Sequence, residues 1–173
     1  MRSRWLTGGL AALASLLIAA PPCLAQTLRE QARFGTWNVQ KDGPSLEMYS
    51  ANETGATVGV MCVDGQSCSV YVATRTRCEN GRRYAGIVGA DEGFSDHTAT
   101  CRIVGDRFVY VLSDFGRAIR SLRNTRQWGL AIETSGGPTR SFRFVVSGTG
   151  EAIGAMALID GTTRRDPRSD TMF

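Results

Sequence analysis

Apolar and polar residues alternate in short runs along this chain, and residues that favour turns separate the runs. Alternation with period two puts every second side chain on one face of an extended strand. Phe34 to Gln40 reads as a first strand, with Trp37 and Val39 on one face. After a turn at Lys41 to Ser45, Leu46 to Ser50 reads as a second, and Ala51 to Gly55 as a loop. Thr57 to Cys62 and Cys68 to Thr74 flank Asp64-Gly65, a dipeptide suited to tight hairpin turns, so they predict a hairpin. Tyr84 to Val88 suits a short strand. Thr98 to Val104 and Arg107 to Leu112 predict a second hairpin around Gly105-Asp106. Gln127 to Glu133 and Arg140 to Val146 alternate cleanly across a turn at Ser135 to Pro138. Trp128, Leu130, Ile132, Phe142, Phe144 and Val146 face inward.

Two segments change period. Ser113 or Asp114 can cap a short helix in which Phe115, Ala118, Ile119 and Leu122 follow helical spacing, with Arg117 and Arg120 opposite. Glu151 to Ile159 suits a second helix that buries Ala152, Ile153, Met156 and Ala157. Three stretches carry no such pattern. Gln26 to Arg33 reads as a polar, helical lead-in, Gly89 to Asp96 as a Gly- and acid-rich loop, and Thr162 to Phe173 as a disordered tail. About eight to ten short strands with one or two short helices predict a mostly β fold, an antiparallel β-sandwich or partly closed barrel.

The N-terminus has the order of an export signal: Arg2 and Arg4, an apolar run of 11 residues from Leu10 to Ala20, Pro21-Pro22, then Cys23-Leu24-Ala25. Residues 1–25 therefore read as a signal peptide cleaved before Gln26. The apolar run falls short of the roughly 20 residues of a spanning helix, so no transmembrane span is expected after cleavage. Ala-Pro-Pro before Cys23 makes a poor lipidation site. Cleavage leaves 148 of the 173 residues, with a single β domain over 26–161 and the tail over 162–173. The chain carries 20 basic and 16 acidic residues, and losing Arg2 and Arg4 leaves a net charge of +2. That balance gives no reason to expect a nucleic-acid partner.

Cleavage also leaves four cysteines, Cys62, Cys68, Cys78 and Cys101, separated by 5, 9 and 22 residues. Zinc sites favour closer pairs, and the single histidine, His97, is not at ligand spacing, so disulfides are expected and no metal. Cys62 and Cys68 flank the Asp64-Gly65 turn, which predicts one pair. Cys78 precedes a loop that returns to the strand of Cys101, which predicts the other.

Candidate chemistry is sparse. Ser95-Asp96-His97 contains three catalytic residue types, but adjacent side chains diverge and a relay needs groups converging from separate elements. His97 reads as a lone loop histidine. Asp91, Glu92 and Asp96 lack calcium-loop spacing. Asn52-Glu53-Thr54 matches a glycosylation acceptor by pattern alone. No phosphate loop or dinucleotide motif occurs, so neither a cofactor nor a catalytic residue is expected. The arginines fall in two groups, Arg75, Arg77, Arg82 and Arg83 around Cys78, and Arg117, Arg120, Arg123 and Arg126. Arg117 and Arg120, opposite the apolar stripe, are the candidate anion-binding residues.

Phe34-Gly35-Thr36-Trp37-Asn38-Val39 resembles the opening Phe-Gly-Asp-Trp strand of the invasion-associated locus B family of exported bacterial proteins, with Thr36 in place of the acid. Trp128 to Glu133, Phe142 to Val146 and Gly150-Glu151-Ala152-Ile153-Gly154-Ala155-Met156 resemble its late strands and short Ala-rich helix. The family usually carries a cysteine soon after the opening Trp, where this chain has Gln40 and Lys41. The resemblance implies a periplasmic or surface β domain linked to host invasion, and it brings no catalytic residues. The expected function is an exported, non-enzymatic domain binding or supporting an envelope or host component, either a protein or an anionic glycolipid. A secreted inhibitor of a hydrolase is the alternative, plugging a cleft with the Cys78 loop or the segment from Gly89 to Asp96.

Overall fold

The structure, a computed structural model, describes residues 31–133 and 138–163. The strands are β1 (Gln31–Phe34), β2 (Trp37–Asp42), β3 (Ser45–Ala51), β4 (Thr57–Val63), β5 (Ser67–Thr74), β6 (Arg83–Ala90), β7 (Gly93–Val104), β8 (Arg107–Leu112), β9 (Gln127–Ile132) and β10 (Arg140–Val145). Helix α1 (Phe115–Arg123) lies between β8 and β9, and α2 (Thr149–Thr163) follows β10. Residues 1–30, which include the expected signal peptide, the turn at 135–138 except Pro138, and the tail from 164 onward lie outside the described residues.

All ten strands form one antiparallel sheet in the order β1-β2-β3-β4-β5-β8-β7-β6-β9-β10. Short turns set the register, because a two- or three-residue loop leaves few ways to pair the flanking strands. Val63 faces Ser67 across Asp64-Gly65-Gln66, and Val104 faces Arg107 across Gly105-Asp106. The period-two pattern then turns one apolar face of strands β2 to β10 inward. Trp37, Val39, Met48, Val58, Val70, Val72, Ala99, Cys101, Tyr110, Leu130, Ile132 and Phe144 are all buried in a single cluster. Fully burying a side chain of Val or Leu size contributes about 1.5–3 kcal/mol, so this one face supplies most of the driving force.

The sheet curls until its last strand reaches its first hairpin. Thr36 N donates to Ser147 O at 3.1 Å, and Ser147 N donates to Thr36 Oγ1 at 3.1 Å. Further along, Asn52 Nδ2 donates to Arg143 O at 3.0 Å. No ladder joins β1 to β10, so the sheet stays open, of the sandwich-like, incompletely closed kind expected from the sequence. Two glycines permit the approach. Gly35 (φ +57°) packs on the Ser147 backbone, and a Cβ on Gly148 (φ +76°) would stand 2.7 Å from the Phe34 carbonyl group. The helices line the interior: α1 buries Ala118 and Leu122, α2 buries Ala152 and Met156. Among the described residues, no helix is long and apolar enough to cross a membrane.

Four local expectations need correction. Gln31–Phe34 is strand β1, not part of a helical lead-in; it pairs with β2 from Gln31↔Gln40 to Phe34↔Trp37, and Gly35-Thr36 splits the expected first strand into a hairpin. Gly89 to Asp96 is not a loop. Gly89 and Ala90 end β6, Gly93 to Asp96 begin β7, and only Asp91-Glu92 turns between them. Gly89, Phe94 and Asp96 lie on the outward side of the ladder, and the inward positions Gly93 and Ser95 are small, so no apolar alternation marks the strand. Ala157 is exposed rather than buried, because α2 is covered on one side only. Thr162 and Thr163 belong to α2 rather than to a disordered tail.

Candidate functional site

The cysteines pair as Cys62–Cys68 and Cys78–Cys101. Cys62 and Cys68 sit directly opposite on β4 and β5, with Cα atoms 4.0 Å apart. Cys78 and Cys101 have Cα atoms 6.1 Å apart and tie the β5–β6 loop to the inner face of β7. Gly81 N donates to Cys101 O, and Cys101 N to Arg82 O, both at 2.8 Å, so that loop continues the ladder.

His97 lies on strand β7 rather than on a loop, and it is buried. Strand geometry puts residues two apart on one face. His97 Nε2 accordingly lies 3.2 Å from Ser95 Oγ, while Asp96 points to the opposite face. Adjacent side chains diverge as expected, but Ser95 and His97 do meet. Among the described residues the constellation stops there: His97 Nδ1 is buried without a partner, and no acid orients the ring. Burial, reinforced by the Arg117 charge, holds the imidazole below its ordinary pKa of 6.5; Asp114 and Asp96 pull less strongly the other way.

Asp114 caps α1, its Oδ1 accepting from Arg117 N at 2.9 Å. That backbone bond, more than the neighbouring arginine charges, holds its carboxyl below the usual carboxylate range. Arg117 and Arg120 are both exposed, as the helical spacing requires. The structure distinguishes them. Arg117 Nε stands 3.4 Å from Asp114 Oδ2, and its NH1 donates to Asp96 O at 3.3 Å. Of the two, Arg120 has no hydrogen-bond or ion-pair partner for its fork among the described residues. Among the described residues, no three His, Cys, Asp or Glu side chains gather as a metal site. Asp91 instead accepts from Arg126 N at 2.8 Å. Asn52 of the glycosylation-like triplet accepts from Thr54 N, Thr54 Oγ1 and Ala56 N, which closes the loop between β3 and β4.

The feature that no single segment announces is a groove of about 780 Å³ on the outer face of β6, β9 and β10. It runs across the strands along one register row. Phe94 on β7 pairs with Gly89 on β6, Gly89 with Gly129 on β9, and Gly129 with Arg143 on β10. Two adjacent glycines make the floor; Phe94, Ile87 and Val145 rise beside it, and Asn52 closes the far end. A Cβ on Gly89 would meet the Phe94 ring at 3.1 Å, so the ring lies against the glycine backbone. Phe94 is nevertheless 86% exposed, Val145 68% and Ile87 45%. Large apolar side chains left in water around a concave floor make this the candidate contact surface. Sequence reasoning missed it because its parts come from β3, β6, β7, β9 and β10, the β1–β2 turn and the loop between β3 and β4. The available signal was Phe94 itself, an aromatic residue flanked by Glu92-Gly93 and Ser95-Asp96 with no apolar periodicity to bury it.

The segment from Gly89 to Asp96, named for the inhibitor reading, is a paired hairpin turning at Asp91-Glu92, and the Cys78 loop is held by its disulfide.

No protein-family model matches the chain. No curated protein matches it in sequence either. A solved structure does: the crystal structure of invasion associated protein B from Bartonella henselae aligns with a TM-score of 0.58 over 76% of this chain and 99% of that one, at 15% sequence identity. The resemblance read from Phe34 to Val39 and from Gly150 to Met156 is thus matched by a likeness across most of the domain. At that identity the likeness is one of architecture, and the conclusion it carries is that this chain shares the fold of an invasion-associated bacterial protein.

Proposed function

We propose that this chain is an exported, non-catalytic β domain that binds an envelope or host component in an invasion-associated role, through the groove over β6, β9 and β10. The carrying observation is Phe94, a ring left 86% exposed against a glycine floor that is otherwise built to be flat. An aromatic side chain in that setting contributes to stability little and to a complex a great deal. Two disulfides support export, since such bonds persist in oxidising compartments. The shared fold with invasion associated protein B supports the invasion role. Among the described residues no acid orients the Ser95–His97 pair, a geometry that supports a binding role over acyl-transfer chemistry.

The test is retention of envelope or host-membrane components on immobilised residues 26–173, wild type against Phe94→Ser. Loss of an aromatic anchor at an interface costs about 2 kcal/mol or more, so roughly 30-fold weaker retention of a specific component is expected. An identical set retained equally by both proteins would remove the groove from the account.

A further inference from the structure

The Cys78–Cys101 bond brings together arginines that the chain order keeps apart. Arg77 precedes Cys78 and Arg102 follows Cys101, and the two cysteines are linked. Arg83 starts β6 opposite Thr100, two residues from Arg102. Arg75 follows Thr74, which pairs with Phe108 beside Arg107. Arg75, Arg77, Arg83 and Arg102 are all exposed. Among the described residues, none of the four makes an ion pair. The nearby Glu79 is held by Arg82 at 2.6 Å, and Arg82 also lies 5.6 Å from the centre of the Tyr84 ring. Three further acids border this end: Asp106 in the β7–β8 turn, Glu133, whose N donates to Ala85 O of β6 at 3.1 Å, and Glu53 in the β3–β4 loop that Arg107 reaches at Gly55 O, so the four arginines outnumber the acids not already held by an arginine.

That turn carries a second, independent feature. Val104 is 63% exposed and Ile103 49%, at the tip of the longest strand. A cationic rim alone attracts any polyanion. An aliphatic tip inside the rim gains nothing from a soluble phosphate polymer, but it can enter the acyl boundary of a bilayer whose headgroups meet the arginines. Charge and apolar surface thus act as the two signals that stable interfacial binding requires.

We propose that this end of the sheet seats on an anionic phospholipid surface, with Arg75, Arg77, Arg83 and Arg102 at the phosphates and Ile103 and Val104 in the acyl boundary. The proposal rests on the export reading for its setting, but its surface is not the groove. Arg83 begins β6, whereas the groove is lined by the strand's other end.

Purified residues 26–173 are sedimented with phosphatidylcholine vesicles and with vesicles carrying about 30% phosphatidylglycerol, a composition that sets the surface charge. Partition onto the anionic vesicles alone is expected, weakening as salt shortens the roughly 8 Å Debye length of physiological buffer. Each arginine should be worth about fivefold, so R75A/R77A lowers the partition coefficient by roughly 25-fold. V104S should lower it several-fold at a salt concentration where the charge term is already screened. F94S should leave vesicle binding unchanged, which separates failure here from failure of the groove. Circular dichroism on every variant confirms the fold. Equal binding to neutral vesicles, no effect of R75A/R77A, or full competition by soluble polyphosphate with no effect of V104S would each overturn the proposal.

Discussion

Trp37 Nε1 donates to Thr149 Oγ1 at 2.9 Å, joining the second strand to the first turn of the last helix across 112 residues of sequence. Trp37 is completely buried and Thr149 nearly so. A buried indole N–H needs a partner, and here the partner is supplied by the chain's other end. The second core tryptophan repeats the arrangement: Trp128 Nε1 donates to Ser121 Oγ of α1 at 2.9 Å. Each helix is therefore fixed by a hydroxyl that accepts from a tryptophan on a strand.

The isosteric change Thr149→Val keeps the volume and removes the acceptor. An unsatisfied buried donor costs about 1–3 kcal/mol. Thr149→Val should therefore lower the urea midpoint by that amount of stability with an unchanged slope, and Thr149→Ser should lower it much less. Equal effects of the two variants would show that the methyl group, not the hydroxyl, carries the contact.

Much of this architecture was legible in the alternation of apolar residues. Trp128, Leu130 and Ile132, then Phe142, Phe144 and Val146, were placed on the inward face from the sequence, and all six are buried. The Cys62–Cys68 pair followed from the Asp64-Gly65 turn, because a hairpin fixes which residues stand opposite. What failed was strand whose outward side gives no pattern: β1, where Gln31, Ala32 and Arg33 are exposed, and the start of β7. The groove lay beyond reach for a different reason. Gly89 and Gly129 are 40 residues apart in number, and only the β6–β9 register makes them neighbours under Phe94 and Arg143.

His97 should make stability depend on pH. Its folded imidazole binds a proton less readily than the unfolded one, so the unfolded chain holds more protons as pH falls through about 6.5. Stability present above that pH is lost on acidification. Urea midpoints compared near pH 7.5 and near pH 5.5 should fall for wild type and fall less for His97→Gln. Parallel behaviour of the two proteins would mean that His97 does not contribute.

Gly148 holds a positive φ where the β10 end meets the β1–β2 hairpin, and a side chain there would stand 2.7 Å from the Phe34 carbonyl. Gly148→Ala should destabilise by more than about 1 kcal/mol, through left-handed backbone strain plus the clash. Gly150, with open space around its Cβ position, is the control. Gly150→Ala should be neutral or mildly stabilising in the same thermal melts.

The two disulfides should differ in worth. They close segments of 23 and 6 residues, and the loop-entropy term grows with the logarithm of that length. Replacing Cys78 and Cys101 by serine should cost about 1 kcal/mol more than replacing Cys62 and Cys68. The full burial of Cys101 adds to the difference. Chemical denaturation of both double-serine variants measures it, and a larger loss from the Cys62–Cys68 variant would contradict this ordering.

The central claim is that the groove at Phe94 is a contact surface of an exported domain. A photo-crosslinking side chain introduced at Phe94, with a control at the exposed Arg123 of α1, tests it directly in producing cells and on exposure to host cells. Illumination should give one discrete adduct from position 94, absent from position 123 and lost when Val145→Ser is added. No adduct at 94, or the same adducts from both positions, would contradict the account.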